Sequence, residues 1–375
     1  MIDPLPSSSL PAGIRARFLR GVNGLDVHVL EAGHEPSGRP CVLLLHGFPE
    51  LAYSWRKVLL ALAQAGYHAI APDQRGYGRT TGWDARYSGD LASYRVLNLV
   101  RDAIGVVRAL GYQTVEAVVG HDFGVTVASY ATLLRPDIFR RMVLMSGPFA
   151  GPPPIDPTPP RQGPDIHTAL AALPRPRKHY QWYYSTAGAN DDMWKAPQGM
   201  HAFLRAYFHH KSADWKANRP FPLKSWTADE LAKMPTYYIM DLADDMPATV
   251  AKEMPSPAEI TNNTWLTEAE LAVYSGEFER TGFQGGLQWY RVQTGGRFNG
   301  ELEIFAGRTI DVPSLFIAGK SDWGVFQRPG ALQKMRDSAC TNFKGAHMLE
   351  GAGHWVQQER ADGVNRLLLE FFRGT

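Results

Sequence analysis

The chain of 375 residues predicts an α/β protein: an open, mostly parallel sheet flanked by helices and interrupted by a helical insertion. Two observations carry this. Short, β-rich apolar runs alternate with helical patterns at both ends of the chain. Between about residues 165 and 300 that rhythm stops, and the text turns aromatic, polar and helix-like with no buried-strand run. Runs of four or five apolar residues without polar alternation suit strands covered on both faces.

Taken in order, GLDVHVLEAG (24–33) alternates and predicts part of an antiparallel edge. CVLLLHGFP (41–49), YHAIAPDQRG (67–76), VEAVVGHDFG (115–124) and RRMVLMSGP (140–148) each read as a strand closed by glycine, proline or a charged residue. SYRVLNLVRDAIGVVRALG (93–111) sets Val96, Leu99, Val100, Ala103, Val107 and Leu110 on one helical stripe, and Gly111 ends it. A second helix runs over 124–134 and stops before Arg135-Pro136. PFAGPPPIDPTPPRQGP (148–164) is too proline-rich for either element and reads as a stiff linker leaving the sheet. Strands return in PSLFIAGKSD (313–322) and AHMLEGAGH (346–354), and VNRLLLEFF reads as a last covering helix. The expected division is a core in two parts, 1–147 and 305–375, around a helical cap, 148–304.

Composition narrows the class. Apolar residues make up 44% and charged residues 20%, ordinary for a globular chain with a sizeable core. A net charge of +2 gives no reason to expect nucleic acid or an anionic membrane as partner. Two cysteines do not make a disulfide framework, and Cys41 reads as a small buried hydrophobe. MIDPLPSSSLPAG has neither a basic nor an apolar signal region. No apolar run approaches the ~18 residues of a spanning helix. The expectation is a soluble cytoplasmic protein, monomer or homodimer.

Asp122 in GHDFG sits between glycines, after a strand and before a helix. That is the setting of the nucleophile elbow in α/β-hydrolases, where a tight turn points one side chain outward. The order nucleophile, acid, histidine is then met by Asp122, Asp322 in GKSDWG and His354 in GAGHW, each just past the C-terminal end of a predicted strand. Aspartate as nucleophile has a chemical logic. A serine attacking a saturated carbon leaves an ether, which histidine and water cannot cleave. A carboxylate leaves an ester, which they can. A carboxylate is also already ionised at neutral pH, and a helix N-terminus favours the charged form.

At these motifs the chain resembles the epoxide hydrolases of the α/β-hydrolase superfamily. HGFPELAYSWR (46–56), GYG (76–78) and GHDFG (120–124) resemble their sheet domain. WLTEAELAVYSGEFERTGFQGGLQWYR (265–291) resembles the cap segment that supplies an active-site tyrosine, and GHWVQQE (353–359) their histidine loop. The likeness is weakest from about 150 to 260. It implies a two-step route: Asp122 opens the ring, then His354, oriented by Asp322, activates water against the ester. It implies an oxyanion hole from the backbone N–H groups of Phe48 and Phe123, and two cap tyrosines at the epoxide oxygen. Tyr290 is one; Tyr180 in KHYQWYY fits the other best, with Tyr183 and Tyr184 within one helical turn. The substrates implied are a small apolar epoxide and water, with no metal or organic cofactor.

Other features read more plainly. His46 shapes the HGFP loop and His121 supports the elbow. HHK (209–211) and RPRK (175–178) read as solvated surface. The carboxylates of DLADDMP (241–247) are too close together to cage a metal and suit a cap surface or a helix start. GYG lacks the third glycine of a dinucleotide motif. Some of the ten tryptophans and fifteen tyrosines are expected to line an apolar tunnel. An aspartate-nucleophile dehalogenase is the nearest alternative, but Phe123 has no side-chain donor for halide. A ligand receptor on a hydrolase fold would have a damaged triad, and a serine esterase lacks its nucleophile here.

Overall fold

The computed structural model describes residues 2–155 and 165–374. Eight strands form the main sheet: β1 (Ile14–Val22), β2 (Leu25–Ala32), β3 (Cys41–Leu45), β4 (His68–Pro72), β5 (Ala117–His121), β6 (Met142–Met145), and, after the insertion, β9 (Ser314–Gly319) and β10 (Phe343–Leu349). Their order is β1-β2-β4-β3-β5-β6-β9-β10, with β1–β2 and β2–β4 antiparallel and every other pair parallel. Every residue of β3, β4, β5, β6 and β9 is buried, which is why these strands read as unbroken apolar runs. Each fully buried Val or Leu here contributes about 1.5–3 kcal/mol of hydrophobic stabilisation.

The predicted helices form over Val96–Ala109, after a 3₁₀ turn at Leu91–Tyr94, and over Gly124–Leu134; the two pack together. The last helix, Ala361–Arg373, packs against Arg56–Gln64. The antiparallel edge forms as expected, with β1 outermost and β2 one position inside it. Two details differ from the sequence reading. The final strand starts at Phe343, before the apolar text, because β10 is an edge whose residues alternate half-buried and exposed. The insertion also holds a small antiparallel ribbon, β7 (Arg177–His179) with β8 (Ile239–Asp241). Of the proline-rich linker, residues 156–164 lie outside the described residues.

Between β6 and β9 the other regular elements among the described residues are helices, of which Met200–Lys211, Glu268–Thr281 and Gln284–Gly295 are the longest. These dock on the sheet's loops. A side chain at Gly285 would collide with the backbone of Gly76, so the GYG turn and the cap touch main chain to main chain. Nearby the Trp289 indole donates to the Arg75 carbonyl at 2.9 Å. Arg56 joins Glu270 at 2.8 Å, and Ser54 meets Tyr274 at 2.8 Å.

The two basic stretches read as surface are corrected by the fold. His209, His210 and Lys211 are all buried. They end a helix enclosed between the cap and the His354 loop, whose Trp355 indole donates to the Phe208 carbonyl at 2.8 Å. In the second stretch Arg175 is exposed, but Arg177 is buried and its guanidinium donates to the Ile239 carbonyl across the ribbon. Asp245 of the acidic stretch caps the helix Met246–Ala251. Among the described residues there is no group of three metal-ligating side chains and no helix long and apolar enough to cross a membrane.

Candidate active site

The C-terminal ends of β5, β6, β9 and β10 lie side by side in the sheet, so the loops that follow them converge. Asp122 follows β5 directly with φ of 50°, a left-handed conformation rare for a side-chain-bearing residue. The helix Gly124–Leu134 begins two residues later, and a side chain at Gly124 would strike the Leu45 carbonyl of β3. This is the strained strand–helix corner that the sequence predicts.

Asp122 Oδ1 accepts the Phe48 N–H at 3.0 Å, and Oδ2 lies 3.4 Å from His354 Nε2. On the other side of the imidazole, Nδ1 meets Asp322 Oδ1 at 3.1 Å and the Ser146 hydroxyl at 2.8 Å. Phe123 stands at the N-cap of the elbow helix. Burial works to raise the Asp122 pKa, but the hydrogen bond and charge of His354, then Lys211 and His121, outweigh it and hold the carboxyl well below its usual range. Asp322 is likewise lowered: burial opposes, while the charge and hydrogen bond of His354 prevail.

A buried polar frame holds these groups. Glu50 is wholly buried; one oxygen accepts from the Gly47 N–H at 3.2 Å and contacts His121 Nδ1 at 2.6 Å, and the other accepts from Gln357 at 2.9 Å. His121 Nε2 meets the His354 carbonyl at 2.7 Å, so it does brace the elbow against the histidine loop. His46 contacts the Gly47 carbonyl at 2.9 Å within HGFP. The histidine loop is also tied to Glu359, which accepts from the N–H groups of Gly353 and Trp355 at 2.9 and 3.0 Å. The sequence reading does not single out Glu50 or Ser146. Each is a polar residue in a motif or strand end, and only its contacts reveal it.

Asp122 opens into a cavity of about 440 Å³ lined by Phe123, Leu99, Phe149, Trp289, Tyr180 and Tyr290 among others. The Tyr290 ring stands 4.5 Å from that of Phe123 and 5.8 Å from that of Tyr180. The Tyr180 hydroxyl donates to Gln327 at 3.2 Å and accepts from Gln181 at 3.3 Å. Tyr183 and Tyr184 are directed elsewhere, to Asp192 at 2.9 Å and to Tyr207 at 3.0 Å. Burial, then the neighbouring Tyr180 and Asp122, pushes the Tyr290 phenol well above its ordinary range, so it carries its proton at neutral pH.

The strand order, the strained corner and the acid–imidazole pair behind it define an α/β-hydrolase, and residues 40–361 match the family model described as alpha/beta hydrolase fold. The chain is 36% identical to epoxide hydrolase A of Mycobacterium tuberculosis over 374 residues, spanning 96% of this chain and 98% of that one. It is 31% identical to an epoxide hydrolase of Caballeronia sordidicola, over 98% and 96% of the two chains. Among solved structures, an epoxide hydrolase from an endophytic Streptomyces superposes with a TM-score of 0.71 at 33% identity, covering 97% of this chain and 96% of that one. Epoxide hydrolase A from Mycobacterium thermoresistibile gives 0.73 at 33% identity, over 96% and 98%. The chain belongs to the epoxide hydrolase family of the α/β-hydrolase fold.

Proposed function

We propose that this enzyme converts an apolar epoxide and water to a vicinal diol through an ester on Asp122. The observation that carries the reading is the position of Asp122: one carboxylate oxygen is held by a backbone N–H, the other lies beside an imidazole, and the residue lines a cavity with two phenols. Oδ1, bound to the Phe48 N–H, is the oxygen that stays as the ester carbonyl. Oδ2 attacks a ring carbon, the carbon–oxygen bond of the epoxide breaks, and the emerging alkoxide takes a proton from Tyr180 or Tyr290. His354 Nε2 then removes a proton from water, and the hydroxide adds to the Asp122 carboxyl carbon. The negative charge passes to Oδ1, where the N–H groups of Phe48 and Phe123 stabilise it; one such donor is worth about 10²–10³ in rate. The acyl–oxygen bond breaks, the diol leaves with the former Oδ2, His354 returns its proton to the leaving alkoxide, and the proton left on the new Asp122 carboxyl passes to the tyrosine phenolate, restoring both groups. Asp322 orients the imidazole.

The segment 148–304 acts as the cap that closes the cavity and brings both phenols over the elbow. A reducing compartment such as the cytoplasm suits Cys41 and Cys340, which are both buried free thiols. Of the cavity-lining groups, the Trp289 N–H is already bonded to Arg75, which leaves no indole donor there to grip a halide. The test is a panel of apolar epoxides with haloalkanes and simple esters alongside, scored for diol, halide and acid. Diol from epoxides alone supports the reading; halide or acid in place of diol rejects it.

A further inference from the structure

His354 Nδ1 has two oxygen neighbours, and the carboxylate is not the nearer. Asp322 Oδ1 lies at 3.1 Å and the Ser146 hydroxyl at 2.8 Å. Ser146 follows β6, the strand between those carrying Asp122 and Asp322. It is 1% exposed and held at φ of 72°. A side chain in that region costs backbone energy that glycine would avoid. What the position gains for that cost is the hydroxyl. The three oxygens crowd one small volume: a Cβ at Gly324 would lie 2.8 and 3.2 Å from the two Asp322 oxygens and closer still to Ser146 Oγ. That space stays open to the hydroxyl because residue 324 has no side chain.

We infer that Ser146 is a positioning residue for the hydrolytic half of the reaction, sharing the Nδ1 proton of His354 with Asp322 so that, once the ester has formed and the Asp122 charge is gone, Nε2 is the unprotonated, water-facing nitrogen. With Nδ1 as donor, Ser146 Oγ accepts and its own proton turns toward the Asp322 carboxylate. It is one of the groups, after His354, that lower the Asp322 pKa. The Nδ1–H then has two acceptors, at 2.8 and 3.1 Å, and a rotation of the ring disturbs both contacts. An imidazole held by Asp322 alone, at the longer distance, samples other orientations and presents Nε2 to water less often. Ring opening by Asp122 needs no base, so Ser146 acts on the second step and not the first.

This inference rests on the ester route proposed above, and single-turnover kinetics separates the two. With an epoxide that the wild type opens, ester formation and ester loss are followed by quenched-flow intact mass for the wild type, Ser146→Ala and Ser146→Gly. The expected result is ester loss slower by about tenfold in both variants, the scale of one neutral hydrogen bond, with ester formation unchanged, so the adduct accumulates. The glycine variant relieves the strained backbone and lacks the hydroxyl, so equal slowing in both assigns the effect to the oxygen. In the free enzyme, proton and nitrogen NMR of the labelled His354 ring should show the Nδ1–H resonance moved upfield and broadened in both variants. Unchanged ester loss with an unmoved Nδ1–H signal overturns the inference alone. Slowing in Ser146→Ala but not Ser146→Gly overturns it in favour of a packing effect. A wild type that turns over with no adduct removes the ester route, and the inference with it.

Discussion

Gly47, in the HGFP loop, is the residue whose enlargement most directly tests how tightly Asp122, the proposed nucleophile, is placed. A Cβ at this position would lie 2.7 Å from Asp122 Cγ and closer still to its Cβ and Oδ1. Restoring an ordinary contact of 3.4 Å moves the carboxylate by about 0.7 Å or more, or displaces the loop that carries the Phe48 N–H. The backbone offers little room for the second course, because the Gly47 N–H is bonded to Glu50 and its carbonyl to both His46 and the Glu50 N–H. A misplacement near ~1 Å costs on the order of 10² in rate. Gly47→Ala should therefore slow single-turnover ester formation by about 10²-fold. The assay is quenched-flow intact mass with excess enzyme, with a thermal melt to show that the variant is folded. A folded Gly47→Ala enzyme that forms the ester at the wild-type rate would refute the claim that this geometry governs the first step.

Three further outcomes follow from the same contacts. His354→Gln removes the base at 3.4 Å from Asp122, so the enzyme should gain the mass of one epoxide and keep it, with the added mass mapping to the peptide containing Asp122; an unmodified variant contradicts the assignment. Tyr290→Phe should slow ester formation by about 10²-fold, the lower range for a lost general acid, and leave ester hydrolysis unaltered, read in the same single-turnover traces. The Glu50–His121 pair sets a pH dependence of stability. Burial alone would lower the His121 pKa, but the charge and hydrogen bond of Glu50 raise it to about 8. A raised histidine stabilises the fold fully below its unfolded pKa of about 6.5, and that contribution is lost as pH rises through about 8. Wild type should thus lose about 2 kcal/mol more than Glu50→Gln between about pH 6 and pH 9 in denaturant titrations, and equal losses would contradict the pairing.

The parts of this molecule that the sequence exposes are those where one local rule decides the structure. The CVLLL and AVVGH strands are legible because burial on both faces removes polar alternation. Asp122 is legible because a charged residue between glycines at a strand end has few other uses. The β1 strand, IRARFLRGV, is not: as an edge it carries arginines that pair with the buried Glu31 of β2, a contact 14 or 16 residues away. The resemblance favours Tyr180 over Tyr183 and Tyr184, but the physical reason is likewise not in the sequence. One helical turn aims the phenols in different directions, and Asp192 and Tyr207 decide which two are taken. Lys211 reads as surface by its charge. Its ammonium instead lies 4.9–5.9 Å from four aromatic rings, among them Tyr238 and Trp355. Pattern cannot show that, because the rings come from three separate stretches of the chain.

The account depends on Asp122 becoming bonded to substrate carbon and later giving up one of its own oxygens. A single turnover in water enriched in heavy oxygen, with enzyme in excess over epoxide, measures this directly. The account predicts a diol with no label and an Asp122 carboxylate that has gained one heavy oxygen; heavy oxygen in the diol from that first turnover, with Asp122 unlabelled, would contradict it.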